Sequence, residues 1–274
     1  MRLALVGDPV AHSRSPAMHA AALRAMGLPH TYEAMRVTAE ELPRVVAALR
    51  AGALLGVNVT VPHKRAALAL ADAVDPSAAR SGSCNVLAVR EGRVVAFDTD
   101  GAALADEVAA LTGRRDRALV LGAGGAARSA VRALADLGFA EIGVRARRPE
   151  QAAALARALD AGTRAEPWAP SPRDEARTAL VVQATSAGME RSGVDAAAEG
   201  ATVAAVVAWD ALGEGAVALD VVYAPPETPF LAAARARGLS AENGLGMLAR
   251  QGARALELWL GRPAPLAAMR AALV

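Results

Sequence analysis

Residues 117–138, RALVLGAGGAARSAVRALADLG, constrain the possible fold more than any other part of the chain. A short apolar run reads as a buried strand, the glycines as a turn, and the Ala- and Leu-rich continuation as a helix. Gly122, Gly124 and Ala127 stand at G-x-G-x-x-[GA] spacing across that junction, with Gly125 and Ala126 between them. Such glycines permit a tight turn and let backbone N–H groups approach a pyrophosphate, which also gains from the positive end of the following helix. The spacing therefore implies dinucleotide binding by Gly122, Gly124, Gly125, Ala126 and Ala127, against the alternative of a plain βα turn in an Ala- and Gly-rich chain. Enzymes that take NAD place an acidic residue at the end of the next strand, on the adenine ribose. Here that strand, EIGVRAR, ends in Arg145, Ala146, Arg147 and Arg148. An arginine fork suits a 2′-phosphate through charge and bidentate hydrogen bonds, so NADP(H) is the expected cofactor. The alternative is a solvated strand end in an Arg-rich chain.

The rest of the chain alternates in the same way. Before the glycine turn, strands are expected at 3–7, near 31–37 and at 56–60, helices at about 16–26 and 39–50, and a hairpin across 85–97. Ser15 and Pro16 read as N-cap and first helical residue, with Gly27 closing that helix. After DTDG at 98–101 a helix runs to Gly113. Beyond the turn come a helix at about 149–160, strands at 179–184 and 217–222, and helices at about 244–261 and 264–273. Segment 189–216 reads as an added helix or a loop.

A length of 274 residues, 54% hydrophobic and 21% charged, suits two modest domains ordered throughout. No apolar run reaches the roughly 20 residues of a membrane span, and no signal peptide is evident. Cys84 is the only cysteine, which excludes an intrachain disulfide or a Cys-rich metal site and fits the cytoplasm. No metal is expected. The net charge of +2, with scattered arginines and few aromatics, argues against nucleic acid as a partner. Lys64 is the only lysine among abundant arginines. An ammonium differs from a guanidinium in being able to release its proton near neutral pH.

Polar clusters interrupt the apolar text at 12–16 (HSRSP), 58–64 (NVTVPHK), 83–85 (SCN) and 98–101 (DTDG). Ser13 and Ser15 stand at a helix mouth, where hydroxyls and free N–H groups can hold a carboxylate, although capping alone would explain Ser15. Pro62 is expected to open a helix with Lys64 in its first turn, an unfavourable place for a cation. Asp100 is the nearest candidate partner; otherwise it is simply the N-cap of a helix at 101–112.

Taken in order, GDPVAHSRSP, GVNVTVPHK, DTDG, LGAGGAARSA, ATSAGM, DVVYAPPETPFL and GLGMLARQGA resemble the corresponding segments of shikimate dehydrogenases, from Gly7 to Gln251. The resemblance implies an α/β substrate-binding and catalytic domain at 1–101, a Rossmann-like NADP-binding domain at 102–241, and C-terminal helices at 242–274 that return to the first. It implies that Ser13, Ser15 and Thr60 bind a substrate carboxylate, that Asn58, Asn85, Asp100 and Gln251 bind ring hydroxyls, and that Lys64 and Asp100 form the catalytic pair. Tyr223 resembles a tyrosine that closes over the carboxylate. Thr185, Gly244 and Met247 resemble cofactor-side residues, the last two beside the nicotinamide. The family's asparagine-arginine-threonine cofactor motif is here Ala146, Arg147, Arg148. Ala20 and Gln183 replace frequent asparagines, and segment 189–216 is longer than the family pattern.

The activity implied is reversible NADPH-dependent reduction of 3-dehydroshikimate to shikimate, in aromatic amino-acid biosynthesis, by a monomer or homodimer acting on a small molecule. Quinate-accepting and aminoshikimate-type enzymes share the scaffold, as would a non-catalytic NADP-binding regulator. Retention of Lys64, Asp100 and the glycine turn argues against the last. For Lys64, burial would lower the pKa toward neutrality while Asp100 would raise it, and sequence leaves that balance open.

Overall fold

The computed structural model describes residues 1–11, 13–160, 162–190 and 193–273. The chain divides into two units, Met1–Ala103 with Gly246–Val274, and Leu104–Leu245. The first unit contains β1 (Arg2–Gly7), α1 (Ser15–Ala25), β2 (Thr31–Arg36), α2 (Leu42–Arg50), β3 (Gly56–Val59), α3 (Lys64–Leu70), β4 (Ala73–Val74), α4 (Pro76–Ser81), β5 (Val86–Arg90), β6 (Arg93–Phe97) and the start of α5 (Asp100–Leu111). They build one sheet in the order β2-β1-β3-β5-β6-β4. β1 runs parallel to β2 and β3, whereas β5 is antiparallel to both β3 and β6. These directions bring the carboxyl ends of β1, β3 and β6 and the amino end of β5 to one edge. The expected hairpin at 85–97 is the β5–β6 pair. The short β4 and α4 escaped sequence reading because two strand residues and six helical ones show no period.

Two helix starts differ from expectation. Arg14, not Ser15, is the N-cap of α1, and Ser13 Oγ accepts the Ser15 N–H at 3.2 Å. Pro62 stands in the turn before α3, which begins at Lys64.

The second unit contains the rest of α5, then β7 (Arg117–Leu121), α6 (Gly125–Asp136), β8 (Glu141–Arg145), α7 (Pro149–Leu159), β9 (Thr163–Glu166), α8 (Pro172–Glu175), β10 (Thr178–Gln183), α9 (Ala196–Ala204), β11 (Val217–Asp220), α10 (Pro229–Arg235) and β12 (Ser240–Glu242). Its sheet is parallel throughout, ordered β12-β11-β10-β7-β8-β9. The order reverses between β7 and β10, where doubly wound sheets bind ligands outside the carboxyl ends of their strands. β7, β10 and β11 are buried at every residue, as strands covered on both faces must be. Segment 189–216 does hold an added helix, α9, capped by Asp195, whose side chain accepts the Ala198 N–H at 2.9 Å. Charged residues brace the far strands. Arg145 pairs with Glu175 at 2.7 Å and with Glu166 at 3.0 Å, and Glu166 also takes Arg117. A Cβ at Gly143 would fall on that pair, so glycine in β8 makes room for it.

The chain ends in α11 (Leu245–Leu260) and α12 (Leu266–Ala271), and all of α11 after Leu245 belongs to the first unit. Trp259 lies over Gly56, where any Cβ would enter the indole, and its Nε1 donates to the Leu87 carbonyl at 3.0 Å. Beneath it His19 stacks on Tyr32 with ring centroids 4.0 Å apart. His19 is fully buried, neither ring nitrogen has a hydrogen-bond partner among the described residues, and burial pushes its pKa down to about 3 from 6.5. Between those pH values the unfolded chain binds a proton that the folded chain refuses, so this residue removes stability as pH falls below about 6.5. The loss at pH 5 is about 2 kcal/mol. His19→Phe keeps the stack and abolishes the titration. Denaturant unfolding at pH 7 and pH 5 should show a smaller drop in the variant by about that amount; equal drops in both proteins would refute the assignment.

Candidate active site

Strand direction assembles the polar clusters of the first unit. The Val59 N–H donates to the Asn85 carbonyl at 2.9 Å and the Asn85 N–H to the Phe97 carbonyl at 3.1 Å, so the ends of β3, β5 and β6 lie side by side. Asn58, 4% exposed, accepts the Tyr32 hydroxyl at 2.7 Å and donates to the Asn85 carbonyl at 3.1 Å. Asn85 Oδ1 accepts the Thr99 N–H at 2.8 Å. Its Nδ2 lies 2.9 Å from Thr99 Oγ1, 2.7 Å from Asp100 Oδ1 and 3.3 Å from Gln251 Oε1. Thr99 Oγ1 in turn is 3.1 Å from the Gln251 carbonyl. Asn58, Asn85, Asp100 and Gln251, four of the expected ligands, thus share one buried network.

Lys64 enters it through an ion pair with Asp100, their side chains 14% and 8% exposed. As the first residue of α3, Lys64 faces the unfavourable end of the helix dipole, and the carboxylate offsets that placement. Asp100 does not cap α5 with its side chain. Asp98 Oδ1 accepts the Asp100 N–H at 3.0 Å instead, which leaves the Asp100 carboxylate for Lys64 and Asn85. Burial is the largest single influence on the Lys64 pKa and lowers it, but the charge and hydrogen bond of Asp100 and the charge of Asp98 together outweigh it. The net shift is upward, so Lys64 is an ammonium at neutral pH, which resolves the balance that sequence left open.

Ser13 lies on the loop after β1, Ser15 opens α1, and Thr60 follows β3. The Asp8 N–H donates to the Val61 carbonyl at 2.9 Å, and a Cβ at Gly7 would strike the Thr60 methyl, so these loops run close together. Ser15 is 5% exposed in the first turn of α1, while Ser13 and Thr60 are half-buried. Cys84 is buried and its pKa is pushed up to about 12, mainly by burial, which leaves an inert thiol. Sequence reading passed over Tyr32, Asp98 and Thr99. The last two sit inside DTDG, where attention fell on Asp100; Tyr32 carries no local signal, because its partner Asn58 is distant in sequence.

In the second unit the glycine turn follows β7. Gly122 has φ +122°, open to glycine almost alone, and a Cβ there would come within 2.9 Å of the Ala184 carbonyl oxygen. Gly124 is the N-cap of α6 with no side-chain acceptor, and nothing lies within 4 Å of where its Cβ would stand. The turn therefore leaves backbone N–H groups and free space together, which fits a pyrophosphate. Gly125 and Ala126 open α6, and Ala127 is fully buried. Arg147 and Arg148 are exposed after β8, whereas Arg145 is buried among carboxylates and its carbonyl accepts the Gly122 N–H at 2.8 Å. Thr185 follows β10, its Oγ1 accepting the Ala187 N–H at 3.0 Å. Tyr223 follows β11 on a loop that Asp220 pins by accepting the Val222 N–H at 2.9 Å and the Thr228 hydroxyl at 2.6 Å. Gly244 packs on the Val221 carbonyl, where a Cβ would collide. Met247, on α11 in the first unit, is 7% exposed.

Comparison with known proteins follows the same division. Residues 5–87 match the shikimate dehydrogenase substrate binding domain, and residues 244–274 match the shikimate 5′-dehydrogenase C-terminal domain. A shikimate dehydrogenase (NADP(+)) of Rhizobium rhizogenes is 39% identical over 263 residues, 94% of this chain and 88% of its own. The crystal structure of shikimate 5-dehydrogenase from Thermus thermophilus in complex with NADP(H) and shikimate has a TM-score of 0.84 at 39% identity, covering 100% of this chain and 98% of that one. The ligand-free 5-ketofructose reductase of a Gluconobacter species reaches 0.86 at 31% identity, covering 100% and 97%. Identity at this level over nearly the full length, with both family domains matched at the chain's two ends, makes this chain a member of the shikimate dehydrogenase family.

Proposed function

We propose that the chain catalyses reversible NADPH-dependent reduction of 3-dehydroshikimate to shikimate, with Lys64 and Asp100 as its catalytic pair. The buried pairing of the chain's only lysine with Asp100 carries this reading. In this reading residues 1–101 bind substrate, residues 102–241 bind NADP(H), and residues 242–274 complete the first domain. Bound NADPH supplies the hydride. Lys64 donates a hydrogen bond to the ketone oxygen, stabilises the developing alkoxide and transfers its proton to it; in the oxidative direction its neutral amine takes the proton back. Asp100 orients the ammonium, and Asn85 orients Asp100. Asn58, Asn85, Asp100 and Gln251 hold the ring hydroxyls. Ser13, Ser15, Thr60 and Tyr223 hold the carboxylate. The turn from Gly122 to Ala127 holds the pyrophosphate, Arg147 and Arg148 the 2′-phosphate, Gly244 and Met247 the nicotinamide side, and Thr185 also contacts the cofactor.

The purified protein should oxidise shikimate with NADP far faster than quinate, and should reduce 5-ketofructose, which has no carboxylate, poorly. A preference for either alternative substrate would overturn the substrate assignment.

NADP should be strongly preferred to NAD, because Arg147 stands where an acidic side chain would repel a 2′-phosphate. Arg147→Ala should raise the KM for NADP and leave turnover at saturation nearly intact. Equal use of both cofactors by the parent protein would contradict this.

Lys64→Arg should be nearly as damaging as Lys64→Ala. Guanidinium keeps the charge but cannot hand over a proton near neutral pH, and general acid catalysis is typically worth about 10²- to 10⁴-fold. The loss should fall on kcat, with NADP binding preserved and circular dichroism unchanged. Near-parental turnover of the Arg variant would move the proton to another group.

A further inference from the structure

Tyr32 carries a hydroxyl that its packing does not require. The residue is 8% exposed on β2, its ring stacked on His19 at 4.0 Å and tilted by 44° against Trp259 at 6.3 Å. Burial keeps His19 uncharged near neutral pH, so it presents a flat apolar face to the ring. A phenylalanine would fill this clamp equally well. The hydroxyl instead reaches past β1: Tyr32 pairs with Leu3 and Asn58 with Leu5, so both stand on one face of the sheet. There it meets Asn58 Oδ1 at 2.7 Å. The direction of that bond follows from the other end of the amide, which lies 3.1 Å from the Asn85 carbonyl. A carbonyl can only accept, so that end is the nitrogen, and the Tyr32 hydroxyl must donate to the oxygen. Asn58 Nδ2 gives one hydrogen to Asn85 and keeps one to offer.

We infer that Tyr32 is a positioning residue for Asn58: held between His19 and Trp259, its hydroxyl locks the Asn58 amide in one orientation and leaves a single Nδ2 hydrogen for a substrate oxygen. The inference rests on the ring-hydroxyl role proposed for Asn58. Without the hydroxyl only the bond to Asn85 holds the amide, Oδ1 loses its donor in a buried place, and the substrate must order the amide at the expense of its own binding. Tyr32 therefore acts on substrate binding and not on the transfer of hydride or proton.

Tyr32→Phe keeps the ring in its stack and removes only the donor. Its KM for shikimate should rise about threefold to tenfold, the scale of one neutral hydrogen bond, with kcat within about twofold of the parent and the KM for NADP unchanged. A role confined to packing would lower Tm and leave that KM alone, and this result would overturn the inference. In an Asn58→Ala background the same substitution should add less than about twofold, because the group it acts through is gone. Additive losses would show that Tyr32 works by another route. The chain has three asparagines, so ¹⁵N-asparagine labelling yields three side-chain amide pairs, and Asn58→Ala identifies the pair from Asn58 without any assay of turnover. Exchange of that pair with deuterated solvent should quicken about tenfold in Tyr32→Phe. An unmoved exchange rate in the folded variant would overturn the inference whatever the kinetics show. A parent protein inactive on shikimate would instead overturn the proposed function, while amide exchange would still decide for or against Tyr32.

Discussion

The first unit is organised around a buried ammonium placed at the wrong end of a helix. Lys64 starts α3, where the dipole opposes it, and its side chain is only 14% exposed. Such a charge persists only with a carboxylate in contact, and that carboxylate must come from elsewhere in the chain. β6 delivers it, because antiparallel pairing with β5 returns the chain to the edge where β3 ends. The sheet order, the junction at Asp98 and the start of α5 all serve that meeting.

The second unit solves a different problem by related means. Its sheet is buried, yet Arg117 and Arg145 lie inside it at 1% and 0% exposure. Glu166 on β9 joins both, and Glu175 on α8 completes the coordination of Arg145. The carbonyl of Arg145 receives the Gly122 N–H, so the glycine turn is tied to a strand whose end is fixed by charge. Removing one partner from such a buried pair typically costs about 3–5 kcal/mol, so this bracing is sensitive to single substitutions.

Much of this was legible in the sequence, for particular reasons. The glycine turn announces itself because Gly122 needs a φ that other residues rarely adopt and α6 needs an uncapped start. Lys64 stands out because it is unique among arginines. What stayed hidden depends on strand direction. Nothing local shows that Asn85 will face Asp100, that Tyr32 will hold Asn58, or that Asp98 will take the capping role and leave Asp100 free. The net direction of the Lys64 pKa shift was equally hidden, since it is a contest between burial and the charges of two carboxylates whose positions only the fold defines. β4 and β12 were missed because two or three residues show no pattern, and β9, TRAE, because it lacks the apolar run that marks the equally short β3 and β11.

Counting hydrogens around Asn85 gives a last consequence. Its amide nitrogen carries two hydrogens yet lies within bonding reach of three acceptors, Thr99 Oγ1, Asp100 Oδ1 and Gln251 Oε1. Thr99 adds one hydrogen, and that too has two claimants, Asn85 Oδ1 and the Gln251 carbonyl. These contacts cannot all be hydrogen bonds at once, so the amide and the hydroxyl share three hydrogens among five acceptors and the cluster has more than one internal arrangement. The Lys64 ammonium and the Gln251 amide hold further hydrogens beside it. A guest whose hydroxyls can either give or take a hydrogen would suit any of these arrangements, whereas a guest that only accepts would suit fewer.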